Sequence, residues 1–245
     1  MSDVNRAIAD KNILITGASG GIGSALVQAF DKSGAAKIYA GTRRGDPITG
    51  TIPVAMDVTS QEQLASIASE LGPQVDIVIN NAGFNANSSF LAGDLSLVRR
   101  EIEANYFGPL NVARAFAPFF KSRKSGVFVN VLSVLSHVNL PTVGSYCASK
   151  AAALSLTQGL RGELQPFGVR VCGIFPPVVD TNMSTHIPHP KLSPQHVAEA
   201  LINQIGSGVE DCYPGMAATI YNRIQENAKG VEREMADRYL TTLRT

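Results

Sequence analysis

Tyr146 and Lys150 stand four positions apart in Tyr146-Cys147-Ala148-Ser149-Lys150, at the start of an alanine-rich stretch. On a helix, positions i and i+4 share a face, so a phenol and an ammonium project into the same space. A free tyrosine titrates near ~10, too high for a base at neutral pH. A neighbouring ammonium favours the phenolate and lowers that value, which lets a tyrosine give and take protons. Taken alone the pair is readily a chance neighbourhood on a surface, and three further residues argue otherwise. Ser133 follows the apolar run Val127 to Leu132. Its hydroxyl therefore stands at the carboxyl end of a strand, where ligands bind to open α/β sheets. Asn105 falls among the apolar positions Val98, Ile102, Tyr106, Leu110, Ala113 and Ala117 of a long helix, so its amide faces inward and needs partners. Pro109, four residues on, has no N–H for the Asn105 carbonyl. That predicts a kink and a free carbonyl beside a buried amide, a natural seat for an ordered water.

A second constellation lies near the amino terminus, in Thr16-Gly17-Ala18-Ser19-Gly20-Gly21-Ile22-Gly23. A strand that runs into such a loop and then a helix suits a diphosphate, which must approach backbone N–H groups where the helix dipole collects positive charge. Cβ atoms at these turns would hold the phosphates away, and Gly23 lets the helix pack close to the sheet. About twenty residues later, NAD-binding sheets place an acid on the ribose hydroxyl. Here the second strand ends in Thr42-Arg43-Arg44, and the nearest acid, Asp46, precedes Pro47 in a turn. Two guanidinium groups suit a 2′-phosphate, which predicts NADP(H) as cofactor.

The elements that must position these residues follow from periodicity. Asn12 to Thr16, Lys37 to Gly41, Ile52 to Met56, Val75 to Asn80, Val127 to Leu132 and Val169 to Phe175 are short apolar runs, nearly continuous in Val, Ile and Phe. Such runs fit strands of a parallel sheet covered on both faces. Helical stretches at about 20–33, 60–71, 96–122, 145–166 and 194–206 separate them. The alternation predicts an α/β fold: a doubly wound, Rossmann-like parallel sheet of about seven strands with helices on both faces. About a dozen residues join the second strand to the third, too few for a crossover helix, so one face should be thinly covered there. All 245 residues are expected to form one domain, with a proline-rich substrate lid at about 177–195 and a polar C-terminal helical segment at about 214–242.

Composition narrows the class. Twenty-one basic and twenty acidic residues leave a net charge of +1, so no phosphate backbone of a nucleic acid is an expected partner. No run of about 18 apolar residues predicts a membrane span, and the start carries no export signal. Three scattered cysteines, Cys147, Cys172 and Cys212, form neither a disulfide framework nor a zinc cluster, which fits a cytoplasmic protein. His186 and His189 are three apart, but Pro188 breaks the helix that would align them, so no metal site is expected. His137 either lines the substrate mouth or faces solvent in a loop. The charged run Glu226 to Arg238 reads as a solvated helix face.

These motifs, in this order, resemble the short-chain dehydrogenase/reductase family in its compact single-domain form. The likeness runs from about Asn12 to Thr181. It includes the loop Thr16 to Gly23, Asp57-Val58, Asn80-Asn81-Ala82-Gly83, Asn105, Ser133 thirteen residues before Tyr146, and Lys150. The resemblance implies that Tyr146 exchanges the substrate proton and Ser133 hydrogen-bonds the substrate oxygen. It implies that Lys150 holds the nicotinamide ribose and that Asn105 holds a water linking Lys150 to solvent. Cofactor contacts are implied for Gly17, Ser19, Gly21, Ile22, Gly23, Thr42, Arg43, Arg44, Asp57, Val58, Asn81, Ala82, Gly83, Tyr146, Lys150, Pro176, Val179 and Thr181. Two departures stand out. Pro177 replaces the glycine usual after the sixth strand, and the chain lacks the glycine-rich tail of tetrameric relatives. A homodimer or homotetramer paired through the helices at 96–122 and 145–166 is expected. Apolar residues Phe84, Phe90, Leu135, Leu140, Val143, Ile187 and Leu192 should surround the nicotinamide end, which favours a small-molecule substrate, a mostly apolar ketone, aldehyde or secondary alcohol. Two other readings remain open: imine reduction or hydroxysteroid-type dehydrogenation on the same site, and a non-catalytic NADP(H)-sensing protein.

Overall fold

The computed structural model describes residues 7–188 and 190–242. Seven strands form one parallel sheet in the order β3-β2-β1-β4-β5-β6-β7. They are β1 (Asn12–Thr16), β2 (Lys37–Thr42), β3 (Ile52–Ala55), β4 (Ile77–Asn80), β5 (Gly126–Val131), β6 (Val169–Ile174) and the two-residue β7 (Asp211–Cys212). The alternation along each strand divides the core into two layers. Ile13 and Ile15 of β1 and Val127, Val129 and Val131 of β5 face one side, against Leu26, Val27 and Phe30 of α1 (Gly21–Lys32) and Val197, Leu201 and Ile205 of α6 (Pro194–Ser207). Leu14 and Phe128 face the other, against α2 (Gln61–Leu71), α4 (Gly108–Arg123) and α5 (Gly144–Leu164), which contribute Leu64, Phe116, Phe120 and Leu160. Continuous apolar strands are thereby satisfied on both faces, as a doubly wound sheet requires.

Local chemistry sets the helix boundaries. Ser60 and Ser193 cap α2 and α6 by accepting the N–H groups of Gln63 and His196, and Pro194 occupies the first turn of α6. Gly208 ends α6 in the left-handed conformation, at φ +74°. No helix joins β2 to β3, and β3 remains largely exposed at the edge, as the short connection predicts. The long helix expected at 96–122 is interrupted. Its first part, α3 (Leu95–Ile102), is capped by the Asp94 carboxylate on the Ser96 N–H. A π-turn, Glu103–Phe107, follows before α4, and the Gly108 N–H reaches back to the Glu103 carbonyl. Pro109 cannot supply an amide to the Asn105 carbonyl, and the wider turn is how the chain absorbs that loss.

The C-terminal quarter adds a buried face to the polar helix expected there. Helix α7 (Ala217–Thr242) is kinked at Asn227. One face carries the ion pairs Arg238–Glu234 and Lys229–Glu232, the solvated face read from its charges. The other buries Ile224, Val231 and Met235 against Val138 and Leu140. The tail is therefore docked over the loop that follows β5, and the partly buried Leu140 packs against it.

Candidate active site

The strand order reverses between β1 and β4, and the crevice at their carboxyl ends holds the glycine loop. Thr16 ties the two strands together. Its hydroxyl accepts the N–H groups of Asn81 and Ala82, at 3.0 Å each, and donates to the Ile79 carbonyl at 3.3 Å. The Asn81 amide returns the link by donating to the Thr16 and Gly17 carbonyls, both at 3.0 Å. Gly17 adopts φ +65°, and a Cβ there would lie 2.9 Å from Ala82 Cα. A Cβ on Gly23 would stand 2.2 Å from the Gly17 carbonyl, and one on Gly21 would strike the Thr181 methyl at 2.6 Å. The first turn of α1 receives no side-chain cap, and Ser19, Gly20 and Gly21 are exposed beside it. A shallow, glycine-walled cradle with uncapped amides fits a diphosphate.

At the β2 end, Thr42 is buried and its hydroxyl accepts the Asp46 N–H at 2.9 Å. The Asp46 carboxylate leans on Arg44 at 3.5 Å, while Arg43 and Arg44 are exposed. The acid that follows this strand in sequence thus faces an arginine. Asp57 caps its own turn through the Thr59 N–H and hydroxyl. Beside it, the Val58 carbonyl accepts from Asn111.

The four candidate catalytic residues converge. Ser133 lies two residues beyond β5 and caps a 3-10 turn, where its hydroxyl accepts the Leu135 N–H at 3.1 Å. That hydroxyl also stands close enough to the Tyr146 phenol to favour its ionised form. Tyr146 keeps part of its surface open to the cleft, yet protein surrounds it closely enough that burial pushes its phenol well above the usual range. Lys150, buried, lies with its ammonium 5.8 Å from the Tyr146 ring centroid and donates to the Val131 carbonyl at 2.8 Å. Burial brings Lys150 down to about 8, against the opposing pull of the Glu101 carboxylate. Asn105 is buried, as its apolar neighbours predicted. Its Oδ1 accepts the Phe84 N–H at 2.9 Å, and its Nδ2 donates to the Phe84 carbonyl and the Ser149 hydroxyl, both at 2.8 Å. The Asn105 side chain is thus committed to the loop after β4 and to α5.

Other expected positions group at the same rim. Val134 donates to the Pro176 carbonyl at 3.1 Å. Beyond Pro177, the chain returns through a bridge in which Asp180 N–H meets Leu192 O and Leu192 N–H meets Val178 O, both at 2.9 Å. The segment between Val179 and Leu192 is thereby an excursion pinned at its base, and Leu192 is partly buried against the core. His137 neither faces open solvent nor stands alone at the mouth. It packs among Phe175, Tyr213 and Tyr221, with Nε2 3.1 Å from the Tyr213 hydroxyl, and burial lowers its pKa. His186 is exposed, His189 lies outside the described residues, and no metal-ligating cluster is found among the described residues.

Sequence reasoning missed two features. Glu101, fully buried, accepts the Ala86 N–H at 2.7 Å. Its spacing of four from Asn105 was the available signal. Asn130 bridges Asn80 and the Thr157 hydroxyl inside the sheet, at 2.8 Å each, and nothing in an apolar strand run announces such a partner.

Known proteins place this arrangement in a family. Residues 11–191 match the short chain dehydrogenase family. A short chain dehydrogenase of Burkholderia cenocepacia, crystallised in complex with NADP, superposes with a TM-score of 0.88 at 38% identity, over 93% of this chain and 98% of that one. The short-chain dehydrogenase ptmH of Penicillium ochrochloron is 33% identical over 225 residues, 86% of this chain and 81% of its own. An uncharacterized oxidoreductase of Staphylococcus saprophyticus is 32% identical over 210 residues, covering 79% of this chain and 90% of its own. The chain belongs to the short-chain dehydrogenase/reductase family of oxidoreductases. No described helix is long and apolar enough to cross a membrane.

Proposed function

We propose that this protein uses NADP(H) to interconvert a mostly apolar ketone or aldehyde and the corresponding alcohol, with Tyr146 as the acid/base. The observation that carries the reading is the convergence of the Ser133 hydroxyl, the Tyr146 phenol and the Lys150 ammonium beside the glycine cradle. When bound, the cofactor supplies or accepts the hydride. Ser133 hydrogen-bonds the substrate oxygen, and Tyr146 donates its proton to that oxygen in reduction or takes it in oxidation. Tyr146 alone is a poor base, because burial disfavours its phenolate. The nearby Lys150 cation offsets that cost. Lys150 also holds the nicotinamide ribose, and the Asn105 carbonyl seats the water through which protons reach solvent. Asn81, Ala82, Gly83, Pro176, Val179 and Thr181 flank the nicotinamide half, and Asp57 and Val58 the adenine.

NADP(H) in preference to NAD(H) rests on Arg43 and Arg44, exposed at the end of β2 where an acid would select NAD, with Asp46 already leaning on Arg44. The NADP complex of the Burkholderia cenocepacia relative supports it. The preference for an apolar substrate rests on Phe84, Phe90 and Leu135 near the cleft. The test follows NADPH absorbance across a panel of aldehydes, ketones and imines. Oxidation of NADPH by apolar ketones or aldehydes, with kcat/KM above that for NADH, is the expected result. Imine turnover alone would redirect the substrate class, NADH preference would overturn the cofactor reading, and tight NADPH binding with no turnover would point to a sensor.

A further inference from the structure

Among the described residues, Glu101 and Lys150 are the two charged side chains that are buried. One is an acid on α3 and the other a base on α5, and these helices pack together. Lys150 donates to the Val131 carbonyl, and Glu101 accepts from the Ala86 N–H. The second carboxylate oxygen of Glu101 is buried without a partner. A buried charge is costly unless another charge offsets it, and in a low-dielectric interior that offset acts beyond hydrogen-bond range.

The surroundings point the Glu101 charge at the acid–base pair. Glu101 stands one turn before Asn105, and a Cβ on Gly83 would lie 3.1 Å from Asn105 Oδ1 and 3.8 Å from Lys150 Nζ. The carboxylate is thus one turn from the group that adjoins the ammonium, and its charge raises the pKa of Tyr146, Cys147 and Lys150. The loop after β4 presents backbone, which Glu101 and Asn105 clamp together. Asn105 holds both polar atoms of Phe84, and Glu101 holds the Ala86 N–H. Ser149 and Ser133 face the cluster with neutral hydroxyls. On its own helix, Arg99 and Arg100 are exposed, and the Arg100 guanidinium lies 5.4 Å from the Phe84 ring centroid. Among the described residues no arginine is thus buried beside the carboxylate to neutralise it locally.

We propose that Glu101 is a positioning residue whose buried negative charge keeps Lys150 protonated and sets the pH range in which Tyr146 works, while its bonded oxygen pins Ala86 in the cleft wall. The proposal rests on the reading of Tyr146 as acid/base. Its sign is fixed by electrostatics. A negative charge disfavours the phenolate and favours the ammonium, so removing it lets both groups lose protons at lower pH.

Two neutral variants test this. Glu101→Gln keeps an acceptor for the Ala86 N–H, and Glu101→Met removes both oxygens, so either one that folds suffices. The first readout is the pH dependence of kcat/KM for alcohol oxidation with NADP+. Its rising limb should move to lower pH by about one unit. The second is NADPH affinity against pH, measured by fluorescence without substrate, whose alkaline decline should begin at lower pH by a similar step. Glu101→Met should also raise KM for the carbonyl substrate, and Glu101→Gln should leave it near wild type. A folded neutral variant with both curves at the wild-type pH, altered only in KM or thermal stability, would overturn the proposal. Tyr146→Phe separates the two readings. If it remains active, the acid/base assignment fails, while the NADPH-binding curve still decides whether Glu101 acts on Lys150.

Discussion

Replacing Thr16 by Val keeps the shape of a buried side chain and removes one hydroxyl. That hydroxyl accepts two backbone N–H groups and donates to one carbonyl, tying the ends of β1 and β4 together beneath the cofactor cradle. The valine variant leaves the Asn81 and Ala82 N–H groups unpaired. Leaving a buried donor unmet costs about 1–3 kcal/mol, and these two are partly buried, so the expected loss is about 2–4 kcal/mol. For a chain of this length each kcal/mol moves Tm by about 2–4 °C, which predicts a fall of roughly 4–16 °C. Thr16→Ser is the control, because it keeps the hydroxyl and loses only a methyl group, at a cost of about 1 kcal/mol. Thermal unfolding followed by circular dichroism, with NADPH affinity measured alongside, reads both consequences. The valine variant should be the less stable and should bind NADPH several-fold more weakly, since the Asn81–Ala82 turn flanks the cradle. Equal stability of the valine and serine variants would refute the assignment of Thr16 as the tie.

Three further outcomes follow from the same geometry. Gly23→Ala places a Cβ 2.2 Å from one backbone oxygen and 2.9 Å from Ala18 Cα, neither able to swing away. Overpacking of this kind costs about 1–3 kcal/mol, so Tm should fall and NADPH affinity weaken by about tenfold; wild-type values of both would contradict the cradle. Arg43→Ala with Arg44→Ala should weaken NADPH binding by about 10- to 100-fold and leave NADH kinetics unchanged, as loss of charge-assisted bonds to a 2′-phosphate requires; equal losses for both cofactors would contradict it. His137 is held below its ordinary pKa by burial, so the unfolded chain binds the extra proton. Its contribution to stability is present above the unfolded value near ~6.5 and is lost as pH falls toward the lowered folded value. Urea unfolding between pH 7 and pH 5 should show that loss in the wild type and a shallower one in His137→Phe, and identical slopes would count against it.

Much of the fold was legible because both faces of the sheet are covered, which leaves strands such as Ile13 to Ile15 and Val127 to Val129 apolar throughout. The candidate catalytic cluster was legible for a different reason. Tyr146 and Lys150 share one helix face, Ser133 closes a strand, and Asn105 interrupts an apolar stripe, so each breaks or uses a local period. Pro109 announced a backbone disturbance, but whether the chain would kink or widen into a π-turn depends on packing around Asn105 and Gly108. Glu101 was hidden because an acid in a helix is ordinarily solvated, and only the loop folding back at Ala86 buries it. The docked face of α7 was hidden likewise. Ile224, Val231 and Met235 carry helical spacing, but the acids and bases among them dominate the pattern, and their partners Val138 and Leu140 lie some ninety residues earlier.

The central claim is that Tyr146 moves the substrate proton, and the Tyr146→Phe variant tests it directly. Turnover of the best ketone from the panel and NADPH affinity are measured side by side in the variant and the wild type. Loss of general acid catalysis predicts that kcat falls by about 10²–10⁴-fold while NADPH affinity stays near wild type. A variant that binds NADPH normally and keeps most of its turnover would contradict the account.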